Sequence, residues 1–405
     1  MIKIPLNSDF SFDNLPFGIF STTGTPPRVG MAVGEEILDL KAVTDLGLLN
    51  ISPTVMNQPF LNDFIALGKE VTNAVRILLQ QWLQEENSPL YEHPNLFFHQ
   101  KEAQMHLPVK VGDYTDFYSS IEHATNVGKM FRDPNNALLP NWKHLPVGYH
   151  GRASSIILSG TNIYRPKGQR LPDGQTQPVF ESTKRLDFEL EMAFVVGKDK
   201  PLGKRVSTQE AEDFIFGMVL FNDWSARDLQ KWEYVPLGPF LSKSFASSIS
   251  PWVVPLEALE PFRVEGPKQT PEVLPYLQYE GRKNFDIQLS VDLTPKNGEA
   301  NQIVQSNYKF MYWNMSQQLA HHTVNGCNLK VGDLMASGTI SGKEKNSYGS
   351  MLELSWAGTR PLVLSDQSQR IFLEDGDTVT LRAFAEKAGK RVGFGKVETK
   401  ILPSL

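Results

Sequence analysis

The nine residues Leu186 to Phe194 alternate apolar and acidic side chains, a period of two that predicts a strand. Phe188, Leu190, Met192 and Phe194 fall on one face, and Asp187, Glu189 and Glu191 on the other. A second run, Ile215 to Asn222, is apolar almost throughout and predicts a strand covered on both faces. Shorter runs at 17–20, 29–33 and 36–40 predict hairpin strands, and further strands are expected at 285–291, 348–356, 378–381 and from Arg391 onward. Helical periods are fewer. Val71, Val75, Leu78 and Trp82 form one stripe, and Met311, Met315 and Leu319 another, in a helix over 307–325 that Gly326 stops. Ser207-Thr208-Gln209-Glu210 is a capping box expected to open a helix through Phe214. Two more helices are expected: one started by Asp223 to Gln230 and carrying Tyr234, and a short one opened by His123 and ended by Asn126-Val127-Gly128.

Composition supports the β-rich reading: 30 glycines and 27 prolines in 405 residues suit many short strands and turns. The length allows two domains. The residue character changes at Asp113, which divides a small N-terminal unit, 1–112, with no chemical constellation, from a larger unit, 113–405. A net charge of −5 and a pI near 6.0 carry no nucleic-acid footprint. The single Cys327 excludes an internal disulfide and fits a reducing compartment. No window approaches the roughly 20 apolar residues of a membrane span, and the first residues lack a secretory apolar stretch, so a soluble cytoplasmic protein is expected.

Chemistry concentrates after Asp113. Three acids in line on one strand stand about 7 Å apart, two pleat steps each. They either form a solvated face or, packed, need a cation. Asp223 ends the apolar run, where it either caps the next helix or adds a fourth acid. Arg227, Gln230 and Tyr234, spaced by three and four, line one helix face with donors. Lys243 lies between Leu241 and Phe245, where it either reaches water or pairs with those acids. His123 sits among Asp113, Tyr114, Asp116, Tyr118 and Asn126, a density that favours a catalytic role. The segment 140–152, rich in aromatic and basic residues, predicts an ordered functional loop containing Tyr149 and His150. Gly332 to Gly342 is a small-residue loop that lets a ligand approach the backbone. His321 and His322 close their helix and are expected to be structural, favoured there by the helix dipole.

These blocks resemble the fumarylacetoacetate hydrolase family. The resemblance rests on Asp113 to Ser120, His123 to Gly128, Leu145 to Arg152, Asn222 to Asp228 and Ser350 to Trp356, long blocks in the right order. The acidic strand and Asn222-Asp223 are similar to the family at large; the His123 block and the N-terminal unit are similar to its fumarylacetoacetase branch. The resemblance implies a mainly β, α+β fold, with an SH3-like barrel over 1–112 and a mixed β-roll catalytic domain over 113–405, assembled as a homodimer. It implies Mg or Ca held by Asp116, Glu189, Glu191 and Asp223. It also implies His123 as base with Glu353 as its partner, and Arg227 and Lys243 in the polar wall. Substrate contacts would be Tyr118, Arg132, Tyr149, Gln230, Tyr234 and Thr339. Where the family often has Gly-Thr this chain has Ala246-Ser247, so Lys243 and Ser247 are candidates for a second cation contact.

The implied reaction is hydrolysis of fumarylacetoacetate to fumarate and acetoacetate, the last step of tyrosine and phenylalanine breakdown. It needs such a set because carbon leaves as a carbanion. Four carboxylates and no Cys or His suit a hard ion, which would stabilise the enolate. His123 would take a proton from water while Glu353 orients the ring. Arg227, Gln230 and Lys243 would meet the alkoxide, and Arg132 and the tyrosines would hold the substrate's carboxylates. Two rivals stand beside this reading. One is a relative acting on another diketo acid as acylpyruvate hydrolase, decarboxylase or isomerase, for which the His123 block has no use. The other is a non-enzymatic calcium protein, which leaves Arg227, Gln230, Tyr234 and Lys243 without a purpose.

Overall fold

The computed structural model describes residues 2–405. One large sheet runs in the order Phe97–His99, Glu36–Asp39, Arg28–Val33, Phe17–Ser21, Trp252–Pro255, Ile215–Asp223, Leu190–Val196, Leu334–Ala336, Tyr114–Phe117 and Gly148–His150. A five-stranded sheet, ordered Asn301–Asn307, Gln288–Thr294, Thr378–Lys387, Lys390–Leu402 and Ile163–Tyr164, packs beside it. The mainly β, mixed architecture expected from the sequence is the one observed, and among the described residues no sheet closes into a barrel. The N-terminal strands join the large sheet where Phe17 pairs with Val253.

Leu190–Val196 and Ile215–Asp223 are buried at every position. Their alternate side chains serve two cores. Leu190, Met192, Phe194, Met218 and Leu220 enter the core beneath the five-stranded sheet. Ala193, Val195, Val219 and Phe221 enter the core shared with the N-terminal strands and the helix Lys69–Gln84. Covered on both faces, these two strands leave no solvated side for the acids they carry.

Several elements differ from the sequence expectation. The alternating run is not one strand: Leu186–Asp187 pairs with Ser225–Ala226, and the longer strand begins only at Leu190. Asp187 thereby leaves the acidic face. Residues 348–356 are not a strand; Met351–Leu354 is one helical turn, because Ser350 Oγ accepts the Glu353 N–H and Asp187 accepts two others. The helix over 307–325 begins later, as Met315–Thr323, behind an Asn314–Gln317 capping box that displaces Met311 into the preceding turn. The capping box at Ser207 forms its side-chain bonds with Glu210 but opens only a 3₁₀ turn, Ala211–Phe214. In Lys69–Gln84 the buried stripe is Thr72, Val75, Arg76, Leu79 and Leu83, with Val71 exposed, since Arg76 turns inward to the carbonyls of Asp13 and Asn14. Burial lowers both imidazoles of His321 and His322, the second to about 4, so neutral rings bonded to Tyr276 and Thr115, rather than a dipole effect, account for them.

The helix carrying His123 spans Ile121–Phe131 and does not stop at Gly128. Gly128 is inside it because the chain returns against that face: a Cβ there would lie 2.0 Å from the Ala137 carbonyl oxygen. Gly128→Ala is therefore expected to destabilise the protein by roughly 1–3 kcal/mol, the usual cost of overpacking. The returning segment is held in place by Arg132 Nη1, which donates to the Ala137 carbonyl at 2.6 Å. Denaturant melts check the loss of stability.

Candidate active site

The four acids converge by strand register. Leu190 pairs with Asn222, which sets Glu189 opposite Asp223; the Asp223 N–H donates to the Glu189 carbonyl at 3.3 Å. Glu191 follows inside the same strand. Ala336 pairs with both Ala193 and Asp116, which brings the Asp116 strand alongside. One carboxylate oxygen from each of Asp116, Glu189, Glu191 and Asp223 lies within 4.8 Å of the others, all buried. The small-residue loop closes over them. The Gly338 N–H donates to Asp116 Oδ1 at 3.2 Å and Glu191 Oε2 at 3.1 Å. Gly338 has φ +75°, and a Cβ there would meet the Phe117 carbonyl at 2.2 Å, so only glycine fits.

Two cations already face the cluster. Lys243 Nζ donates to Glu189 Oε2 at 2.5 Å and Asp223 Oδ2 at 2.7 Å. Arg227 Nη1 pairs with Glu189 Oε1 at 2.7 Å. Asp223 is no helix cap: it ends its strand, and the following helix, Arg227–Glu233, is preceded by Ala226. Its other contacts are Ser247 Oγ at 3.0 Å and Tyr149 Oη at 2.9 Å, both donating.

These two cations do not balance the site. Burial would raise the Glu189 carboxyl, but Lys243 first, then Arg227 and His123, hold it well below its ordinary range. Burial and the neighbouring Asp223 push Asp116 well above it. Burial and Asp116 do the same to Glu191. Among the described residues, buried Glu191 Oε1 finds no hydrogen-bond partner. Four hard oxygen donors, two of them resisting ionisation and one oxygen orphaned, fit a divalent cation of the Mg or Ca kind.

The second half of the site is a dyad. His123 Nδ1 lies 2.6 Å from Glu353 Oε2, both side chains buried. Asn126 Nδ2 donates to Glu353 Oε1 at 2.9 Å, and Ser341 and Ser350 hydroxyls donate to Oε2 at 2.8 and 3.1 Å. Burial would raise the Glu353 carboxyl; the imidazole beside it and these donors more than offset that and hold it below the usual carboxylate range. Tyr118 packs edge-on against the His123 ring, centroids 5.2 Å apart, and burial pushes its phenol up.

The other expected contacts divide. Gln230 Oε1 accepts from Arg227 Nη1 at 3.3 Å, and buried Thr339 Oγ1 has no partner among the described residues. Arg132 is exposed and bonds the Ala137 carbonyl, and Tyr234 is half-exposed at its helix end. Sequence reasoning gave Asn126 no task beyond crowding His123 and ending its helix, and passed over Ser341 and Ser350. Two of the three carried a signal: Asn126 lies three residues beyond His123 on one helix, and Ser350-Met351-Leu352-Glu353 is a Ser-x-x-Glu capping pattern.

Fold and site together define a mixed β protein that sets a buried His–Glu pair beside a buried carboxylate cluster able to hold a metal ion. Family models describe the same chain: "Fumarylacetoacetate (FAA) hydrolase C-terminal" matches residues 113–402 and "Fumarylacetoacetase N-terminal" matches 13–108. The chain belongs to the fumarylacetoacetate hydrolase family. Among its curated relatives, the fumarylacetoacetase of Homo sapiens is 54% identical over 100% of this chain and 99% of its own. That of Arabidopsis thaliana is 49% identical over 100% and 98%. Among solved structures, the fumarylacetoacetate hydrolase of Exiguobacterium antarcticum superposes with TM-score 0.55 at 17% identity, over 96% of this chain and 99% of that one, a likeness of fold.

Proposed function

We infer that this chain hydrolyses fumarylacetoacetate to fumarate and acetoacetate. The reading is carried by one observation: a buried His123–Glu353 pair shares its site with a buried cluster of four carboxylates. Near-50% identity to curated fumarylacetoacetases along the whole chain supports it. The division near 112, a homodimer, a cytoplasmic location and a place in tyrosine and phenylalanine breakdown belong to the same reading. Asp116, Glu189, Glu191 and Asp223 would hold a Mg or Ca ion, which would supply Lewis-acid stabilisation of the negative charge developing on the substrate.

The protein's own groups do the rest. Glu353 accepts the Nδ1 proton of His123, which leaves Nε2 with its lone pair free to take a proton from water. The water oxygen bonds to a ketone carbon; the C–C bond then breaks, and the proton passes to the departing carbon. Arg227 Nη2, without a partner among the described residues, can donate to the alkoxide, as can the one Lys243 proton not engaged by Glu189 and Asp223. Tyr118, Tyr149, Gln230, Tyr234, Thr339 and Arg132 hold the substrate's oxygens and carboxylates. Ser247, whose hydroxyl donates to Asp223 and keeps a lone pair on its oxygen, offers the second cation contact, and Lys243 adds only its charge there, since an ammonium has no lone pair.

The test is direct. Purified protein with magnesium should remove the ultraviolet absorbance of fumarylacetoacetate and yield fumarate and acetoacetate in equal amounts, and chelation should stop it. Isomerised or decarboxylated product, or no turnover with the ion bound, would exclude this reading.

A further inference from the structure

We propose that Asp187 is a positioning residue that ties the arginine of the cation site to the helix carrying the dyad glutamate. Its side chain is wholly buried. Its two oxygens accept three donors: Met351 N–H at 2.6 Å on Oδ1, and Leu352 N–H at 3.0 Å and Arg227 Nε at 2.8 Å on Oδ2. A buried carboxylate costs several kcal/mol unless so satisfied. The three donors come from two parts of the site.

On one side Arg227 continues from Asp187 to Glu189, Nη1 to Oε1, at 2.7 Å. On the other, Met351–Leu354 is a single turn of four residues, too short to stand by its own ladder. Its first amides have no intrahelical acceptors, and Asp187 supplies them. Glu353 sits in that turn and reaches His123. A bridge between Glu189 and Ser350, with the Leu190 N–H on the Gly349 carbonyl at 2.9 Å, fixes the spacing of the two backbones. Asp187 fixes how the turn starts, and so where Glu353 points. Short contacts join Glu189, Arg227, Asp187 and the Met351 amide, the backbone of the turn carries on to Glu353, and Glu353 meets His123, which joins the cation cluster to the proposed base. The strand break before Leu190 makes this possible, since it frees Asp187 from the acidic face.

This rests on the roles proposed for His123 and Glu353. Asp187→Asn keeps the shape but turns one acceptor into a donor. With magnesium saturating, it should lower kcat by roughly 10- to 100-fold, as loss of an orienting partner does, with KM within about threefold. In a Glu353→Gln background the same change should cost less than about threefold, because the geometry it maintains is already lost. A kcat within threefold of wild type, or a loss that multiplies fully with Glu353→Gln, overturns the proposal. Should Asp187→Asn fail to fold, hydrogen exchange in the full wild-type chain decides. The Met351 and Leu352 amides should exchange at least about tenfold more slowly once magnesium is bound, since fixing Glu189 fixes Arg227 and Asp187. Unchanged exchange on saturation overturns it. A wild-type chain that leaves fumarylacetoacetate intact sinks the functional reading instead, and leaves the exchange result standing.

Discussion

His123→Ala is expected to lower kcat by about 10²–10⁴-fold, the range of a lost general base, while leaving KM and magnesium affinity within a few-fold of wild type. The ring is not one of the four clustered side chains, whose oxygens converge without it. Its Nδ1 is committed to Glu353 at 2.6 Å, and Glu353 is itself held by Asn126, Ser341 and Ser350. A carboxylate so surrounded stays ionised and, in the proposed role, would stabilise the imidazolium formed if Nε2 takes a proton. Removing the ring removes the proton acceptor and leaves a small void beside Tyr118. Steady-state kinetics and a calorimetric titration on the same preparation separate the effects. Turnover within tenfold of wild type would exclude His123 as base. A parallel collapse of magnesium affinity would show that the ring shapes the cluster instead.

Much of this site was legible because it lies on the two most regular strands. Acids alternating with Leu190 and Met192 announced Glu189 and Glu191, and the end of an apolar run announced Asp223. Burial on both faces then forced Lys243 and Arg227 inward as partners. What was not legible depends on contacts across long stretches of chain. Tyr348 to Trp356 has the composition of a strand, yet Asp187, more than 160 residues earlier, accepts its amides and turns it into a helix. Gly128 looks like a helix stop, and becomes an interior residue only because Ala137 returns against it. Asp187 is one of three matching acids in the pattern, and only the strand break separates its task from the others. Local periodicity places side chains on faces; it does not say which distant backbone will claim them.

Glu191→Gln separates the cost of the cluster from its use. Glu191 is pushed up by burial, then by Asp116, Glu189 and Asp223, and one of its oxygens has no partner among the described residues. Two unit charges at 4.8 Å repel by roughly 3 kcal/mol at an effective dielectric of about 20. In the cation-free chain the acid is therefore a liability. A carboxyl raised in the folded state favours folding at low pH, and that contribution fades as pH rises from the unfolded value, near 4.3, through the folded one. The amide should accordingly raise the melting temperature of the cation-free protein by about 2–4 °C near neutral pH, and by little near pH 4, where the unfolded acid is itself largely protonated. The same change should weaken magnesium binding by at least about tenfold and largely remove the thermal stabilisation that the ion confers on wild type. Melts with and without magnesium at both pH values, together with calorimetric titration, read all of this. If the variant bound magnesium as wild type does, Glu191 would be no ligand. If it melted lower without the ion at neutral pH, the carboxylates would be held by Lys243, Arg227 and Gly338 well enough to need no further cation, and the electrostatic case for one would fail.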